Sequence, residues 1–357
     1  MRNGIFIYDN IDHAHQRGIA RYFQQVAAGL SHSFAHRITM CSPRPWTDDA
    51  VRWLDSSNHP IWQLLWGREG VADRLAKRVR PALVYCPYYG VTTVSAPHIY
   101  TAYDMIHELS PGHRDVRFSA RKRRCLESAA AILTISHSTA RDIGAVYPHV
   151  DPARVFVTHL GVDPSFLAPR PPCPAHCDRP FFFFIGYRSS YKNFHRLLEA
   201  FAKSGLAKDF DLRVISPAGH GFDRAEAELI QRYGLANRVC LLIGPDDETV
   251  RAHYAWSWAL VYPSEREGFG LPLLEAMASR TLVATSNTSS MPEVGGQAAL
   301  YFDPRSADSI ADCLTRLAGV SGDERAARIR LGVERASGFT WERCQRATVE
   351  VFRRVLG

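Results

Sequence analysis

Glu265-Arg266-Glu267-Gly268-Phe269-Gly270-Leu271-Pro272-Leu273-Leu274-Glu275-Ala276-Met277-Ala278 follows an apolar run, Trp258-Ala259-Leu260-Val261-Tyr262, and a Pro-Ser pair. The apolar run reads as a strand. Two glycines make a tight turn, and Pro272 suits the first turn of a helix because its φ is fixed and it has no N–H to satisfy. Strand, glycine turn and helix start together point several free backbone N–H groups at one spot, an arrangement that holds a diphosphate. Glu267 is expected in the turn and Glu275 on the first helical turn. Carboxylates beside a phosphate site do not bind phosphate, so these two are expected to grip neutral hydroxyls. A nucleotide-sugar offers such hydroxyls on both sides of its diphosphate.

The pattern resembles the donor site of glycosyltransferase family 4, retaining enzymes with the GT-B fold. Glu267 and Glu275 match the family's spacing, two glutamates with seven residues between them. The resemblance implies that Glu267 holds donor-sugar hydroxyls, that Glu275 holds the ribose, and that Gly268, Phe269, Gly270 and Leu271 line the donor. It also implies that the base is read near Gly244 and Pro245, after the run ending at Ile243. The likeness is strongest from Phe181 to Pro304.

A second run, Phe181-Phe182-Phe183-Phe184-Ile185, is followed by Gly186 and then by Arg188 and Lys192 before a helical pattern at Phe194. This order delivers two cations to one end of a sheet. An arginine forks onto phosphate oxygens and a lysine adds a point charge. In the family an arginine and a lysine here neutralise the leaving diphosphate. Charge develops on that group as its bond breaks, so fixed cations stabilise the transition state selectively. The chemistry can proceed without a divalent ion, and neither metal nor cofactor is expected. The one Asp-x-Asp, Asp209-Phe210-Asp211, sits at the start of a strand, away from the carboxyl ends where ligands bind, and reads as a turn.

Around these runs, short apolar stretches alternate with helical patterns, which predicts doubly wound parallel sheets. Strands are expected at Ile5 to Tyr8, His36 to Cys41, Leu83 to Cys86, His98 to Thr101, Ala131 to Ile135 and Val155 to Thr158. Six more are expected at Pro180 to Gly186, Leu212 to Ser216, Val239 to Ile243, Trp258 to Tyr262, Thr281 to Ala284 and Ala299 to Phe302. A length of 357 residues suits two domains. The expected architecture is α/β, GT-B: two Rossmann-like doubly wound domains facing across a cleft. The boundaries are an acceptor-binding domain at 1–165, a proline-rich linker at 166–180, a nucleotide-sugar-binding domain at 181–340, and a last helix at 341–357 crossing back to the first domain.

In the first half, Gly18 opens a helix after the first strand. The family has a glycine-rich loop there bordering sugar and diphosphate; helix capping explains Gly18 equally well. Near Tyr103-Asp104 the family often shows a His-Asp pair. Tyr103 departs from it and Asp104 matches, which leaves Asp104 a candidate for a sugar or acceptor hydroxyl, with a catalytic part. No apolar stretch approaches a membrane span and the first residues read as a strand, so a cytoplasmic protein is expected. Eight cysteines are scattered, and only Cys173 and Cys177 lie close together, with no second ligand pair at zinc-finger spacing.

The net charge is +7. One cluster, Arg117 to Arg124, reads as a solvated helix face, a patch for anionic membrane, or a nucleic-acid patch; no recognition module accompanies it, and no nucleic-acid partner is expected. The expected partners are a nucleotide-sugar donor and a glycan or lipid-linked acceptor in surface polysaccharide synthesis, with mannose from GDP-mannose favoured. A UDP-sugar donor, a nucleotide-sugar epimerase on the same fold and a catalytically silent binding partner are the alternatives.

Overall fold

The structure, a computed structural model, describes residues 4–9, 11, 17–42, 47–55, 72–90, 93–110, 112–174, 177–188, 190–217, 219 and 221–357, without the side chains of Arg17, Asp55 and Ser190. The chain divides into two compact units, Met1–Gly161 with Trp341–Gly357, and Val162–Thr340. The fold is α/β of the GT-B kind, each unit being a Rossmann-like parallel sheet with helices.

The first unit runs β1 (Ile5–Tyr8), α1 (Arg17–Ser33), β2 (Ile38–Ser42), β3 (Val51–Asp55), α2 (72–79), β4 (Leu83–Cys86) and β5 (His98–Ala102). It continues with α3 (Ile106–Leu109), α4 (Val116–Ser128), β6 (Ala131–Thr134), α5 (His137–Val146) and β7 (Val155–Val157). Its strands lie parallel in the order β3-β2-β1-β4-β5-β6-β7. β3 is an edge strand that the apolar-run reading passes over: Val51 is buried but Arg52 is exposed and Trp53 half-buried, so its apolar residues alternate instead of running together.

The second unit runs β8 (Phe181–Ile185), α6 (Phe194–Lys203), β9 (Asp211–Ser216), α7 (Arg224–Arg232), β10 (Val239–Ile243), α8 (Asp247–Trp256) and β11 (Ala259–Tyr262). It ends with α9 (Leu271–Ala278), β12 (Leu282–Ser286), α10 (Met291–Gly295), β13 (Leu300–Phe302), α11 (Ala307–Ala318) and α12 (Gly322–Ser337). The order is β10-β9-β8-β11-β12-β13, again parallel. Phe181 to Phe184 are all buried, as a central strand covered on both faces requires, and Phe182 and Phe183 pair with Ala259 and Leu260 of β11.

A last helix, α13 (Trp341–Leu356), belongs to the first unit. Its buried residues, Trp341, Cys344, Thr348, Val349, Val351 and Phe352, recur at helical spacing and form one face. Phe352 lies 5.2 Å from the Tyr85 ring and 6.4 Å from Phe34. Gln345 Nε2 donates to the Gln25 carbonyl at 3.0 Å, and α1 passes so close that a Cβ on Gly29 would stand 2.8 Å from the Gln345 side chain.

Two expectations change. The proline-rich stretch is not a free connector: Trp256 Nε1 donates to the Pro171 carbonyl at 2.8 Å, Arg170 stacks 3.6 Å above the Trp256 ring, and Phe166 meets Tyr254 edge-on. The basic cluster on α4 is not uniformly solvated either. Lys122 is fully buried, donating to Glu108 at 2.9 Å and to the Asp104 carbonyl at 3.0 Å, while Arg117, Arg123 and Arg124 stay exposed. A buried ammonium needs such partners. Asp211 of the Asp-x-Asp pairs with Arg179 and Arg238 at the amino end of its strand. No helix among the described residues is long and apolar enough to cross a membrane.

The second unit should weaken in mild acid. His253 on α8 lies against Phe181 and Phe183, its Nδ1 faces the Thr249 carbonyl at 2.7 Å, and its Nε2 is buried with no hydrogen-bond partner. Burial, seconded by the charge of Arg213, holds its pKa below the ordinary 6.5. The unfolded chain takes up a proton that the folded one resists, so this stability is complete above about pH 6.5 and declines as pH falls below it. Tm measured from neutral pH downward is expected to fall, and His253→Gln to flatten the decline. An unchanged slope in the variant removes His253 as the cause.

Candidate functional site

The order of the second sheet fixes where a ligand can enter. From β8 the chain winds outward through β9 and β10, whereas β11 leads the other way through β12 and β13. The loops leaving β8 and β11 therefore diverge and open a crevice at the carboxyl ends of these neighbouring strands. Residues 186–188, 190–193 and 263–270 frame it.

Both loops are pinned to each other. Asn193 caps α6 in the left-handed conformation, φ 61°, and its Nδ2 donates to the Pro263 carbonyl at 3.1 Å and the Pro304 carbonyl at 2.6 Å. Arg196 reaches the Asn193 side chain at 2.7 Å and Glu265 at 3.0 Å, and the Glu265 N–H donates to the Tyr191 carbonyl at 2.8 Å. Charge-assisted and backbone bonds of this kind set the loop positions before any ligand arrives.

Inside this frame three side chains meet. Lys192 Nζ donates to Glu267 Oε1 at 2.6 Å and to Tyr262 Oη at 3.0 Å, and the Tyr262 hydroxyl donates to the same carboxylate oxygen at 2.9 Å. Tyr262 is the buried last residue of β11. Burial and the Glu267 charge push its pKa well above the ordinary phenol value, so it stays a donor. Lys192 and Glu267 each keep 12% of their side-chain surface exposed, enough for a ligand to reach them. The Glu267 backbone is held as well: its N–H donates to Ser289 Oγ at 3.1 Å, and its carbonyl accepts from Ser289 at 2.7 Å and Ser290 at 3.0 Å. Ser289 adopts φ 56° to do this.

Beyond Glu267 the chain passes Gly268 and the buried Phe269, which packs edge-on against Phe339 at 5.8 Å. It turns at Gly270, φ 111°, a conformation strained for any residue with a Cβ, and enters α9 with Leu271 and Pro272 in the first turn. Glu275 is the fifth helical residue rather than part of the first turn, because the helix begins at Leu271. It therefore lies one turn deeper than expected. Its Oε2 accepts from the Tyr254 hydroxyl at 2.7 Å, and the buried Tyr254 ring rests 5.1 Å from Phe183.

The remaining candidates stand apart from this cluster. Arg188 Nε donates to the buried Glu226 at 2.8 Å, and its NH2 to the Gly221 carbonyl at 2.9 Å. Glu226 also closes the capping box that starts α7, so Arg188 is tied to that helix start while Lys192 faces Glu267. Gly244, φ 58°, donates its N–H to the Ser216 carbonyl and leads through Pro245 to the Asp246 cap of α8. Two strand spacings, roughly 10 Å, separate β10 from β8. Gly18 and Asp104 belong to the first unit. Gly18 lies in the first turn of α1 with open space where a Cβ would sit. Asp104 is half-buried, its Oδ1 accepting from the Ile106 N–H at 3.0 Å. Tyr103 points its hydroxyl to the Pro87 carbonyl at 2.8 Å.

Sequence reasoning missed Tyr262, Tyr254 and the serine pair. The tyrosines sit in apolar strand and helix patterns, Tyr262 as the last residue of β11 and Tyr254 two residues before the end of α8, where nothing local marks them as polar partners.

Residues 16–166 match the sequence model described as Glycosyltransferase Family 4, and residues 173–330 the model described as Glycosyl transferases group 1. Among curated proteins, the chain is 31% identical over 241 residues to O-antigen chain mannosyltransferase B of Escherichia coli, covering 64% of this chain and 61% of that one. It is 27% identical over 254 residues to MMP alpha-(1->4)-mannosyltransferase of Mycolicibacterium hassiacum, covering 67% and 57%. The matches thus span about three fifths of the length of these relatives. Solved structures of similar fold include sucrose-phosphate synthase from Thermosynechococcus elongatus, with a TM-score of 0.77, 17% identity and 99% of both chains covered. Another is Anabaena HepE in complex with UDP and glucose, with a TM-score of 0.76, 15% identity, and 99% and 100% covered.

Proposed function

The chain belongs to the family 4, group 1 glycosyltransferases through both of its halves, and from that premise we propose that it moves a hexose from a nucleoside diphosphate sugar to a glycan or lipid-linked acceptor. The observation that carries this reading is the Lys192–Glu267–Tyr262 cluster at the switch point of the second sheet, beside the start of α9. Lys192 and the N–H groups after Gly270 face the diphosphate, Glu267 takes a hydroxyl of the sugar, and Glu275, steadied by Tyr254, takes the ribose. Gly244 and Pro245 border the base. Arg188 reaches the diphosphate from the α7 side; within the first unit Gly18 and Asp104 are the candidate residues, Asp104 for a sugar or acceptor hydroxyl.

In the transfer, the bond from sugar C1 to the diphosphate oxygen breaks and the acceptor hydroxyl oxygen bonds to C1. The acceptor proton leaves with the diphosphate or to water. The negative charge gathering on the leaving diphosphate oxygen is met by Lys192, Arg188 and backbone N–H groups, with no divalent ion. Mannose is the favoured sugar, because the similar proteins from Escherichia coli and Mycolicibacterium hassiacum are named as mannosyltransferases. The fold neighbour solved with UDP and glucose keeps a UDP-sugar as the second reading. The test is slow hydrolysis and transfer from GDP-mannose, UDP-glucose and related donors, each with and without a chelator. Activity restored only by manganese overturns the metal-free reading, and release of an epimerised donor overturns transfer itself.

Glu275→Ala should weaken the sugar nucleotide and the free nucleoside diphosphate alike, by about 10- to 150-fold for a lost charged hydrogen bond. Calorimetry with the free nucleotide checks it; equal affinity in both proteins removes the ribose assignment. The exposed Arg117, Arg123 and Arg124 of α4, beside the exposed Val116, would serve a lipid-linked acceptor by resting on anionic membrane. Neutralising the three should reduce sedimentation with anionic vesicles, and unchanged sedimentation returns them to a solvated face.

A further inference from the structure

At the amino end of the second sheet, opposite the Lys192–Glu267 crevice, lies a cavity of about 240 Å³ lined by Arg170, Arg251, Arg280 and Arg325. The four come from separate places: the proline-rich stretch, α8, the turn between α9 and β12, and α12. Among the described residues no carboxylate lines the cavity and none pairs with any of the four. Arg251 Nε is buried with no hydrogen-bond partner. Arg325 donates to the Trp258 carbonyl at 3.0 Å and lies 4.4 Å above that ring. Burial and the neighbouring charge of Arg170 hold the Arg325 pKa below its ordinary value. Arg170 is stacked on Trp256, and Arg280 is held at φ 61°.

Gathering like charges without counter-charge is unfavourable, and here packing and stacking hold them together regardless. Planar guanidinium forks match the oxygens of a phosphate group. The volume lies below the roughly 300–1,000 Å³ that encloses a whole drug-sized ligand, which suits a charged head group alone. We propose that this cavity is a second anion site, taking a phosphate or diphosphate group. The proposal stands whether or not the crevice takes a nucleotide sugar.

The test is calorimetric titration of the full chain with inorganic phosphate and with pyrophosphate, beside sedimentation with phosphatidic acid vesicles. The proteins compared are wild type, the double variant Arg251→Gln/Arg280→Asn, and Lys192→Ala. Among the described residues the two substituted arginines make no side-chain hydrogen bond or ion pair, so the double variant should keep its Tm. Binding of free phosphate or pyrophosphate that weakens at least about tenfold in the double variant and persists in Lys192→Ala supports a soluble ligand. Vesicle binding with the same dependence, without response to the free anions, supports a lipid head group. No anion binding at millimolar concentration in either format, equal affinity in the double variant, or loss in Lys192→Ala overturns the proposal.

Discussion

Replacing Glu267 by alanine is expected to lower turnover by about 10- to 150-fold, the worth of a charged hydrogen bond to the sugar, while free nucleoside diphosphate binds at least as tightly as before. The second half of this expectation comes from the geometry. The Lys192 ammonium is 2.6 Å from Glu267, and that carboxylate competes with diphosphate oxygens for the same charge. Removing it releases Lys192. Steady-state rates and calorimetry on one preparation separate the two effects. Near-normal turnover defeats the sugar assignment, and weaker diphosphate binding shows that Glu267 serves the phosphates by holding Lys192 in place.

Lys192→Met should do the reverse and cost more. Losing one preorganised electrostatic partner of a developing oxyanion lowers kcat by about 10²–10³-fold, and here the free diphosphate should bind more weakly too. The substitution leaves Glu267 with the Tyr262 hydroxyl at 2.9 Å, so the turn should keep its shape. Tyr262→Phe is the companion measurement: it removes one donor to Glu267 and leaves the cation, and should fall well short of the Lys192→Met loss. Equal losses in both would move the role from the charge to the architecture around it.

Much of this layout is legible in the chain because parallel strands buried on both faces appear as apolar runs. Ile5 to Tyr8 and Leu83 to Cys86 are fully buried strands with the bounds that their composition suggests. Where one face meets solvent the signal fades, as at Val51–Asp55. Lys122 shows the converse. It shares a helical face with Phe118, Cys125 and Leu126, so the 3.6-residue period already placed it inward, yet the string of cations around it suggested solvent. The crevice was legible in its backbone, since Gly270 and Pro272 announce the turn and the helix. Its polar partners were not. Tyr262 meets Glu267 five residues away and Tyr254 meets Glu275 across two helices, and no local pattern distinguishes such tyrosines from core. Arg188 illustrates a further limit: its partner Glu226 lies 38 residues on, beyond any local reading.

The return of α13 to the first unit bears on the order in which the protein can be made. Chains emerge from the ribosome amino end first and domains generally fold as units during synthesis. Residues 162–340 of the second unit are all available once residue 340 has emerged, whereas the first unit, begun earliest, still lacks the helix that covers Tyr85, Phe34 and the groove at Gly29. The half that starts first is thus completed last, and until then it presents a bare apolar face that nascent-chain chaperones would have to shield.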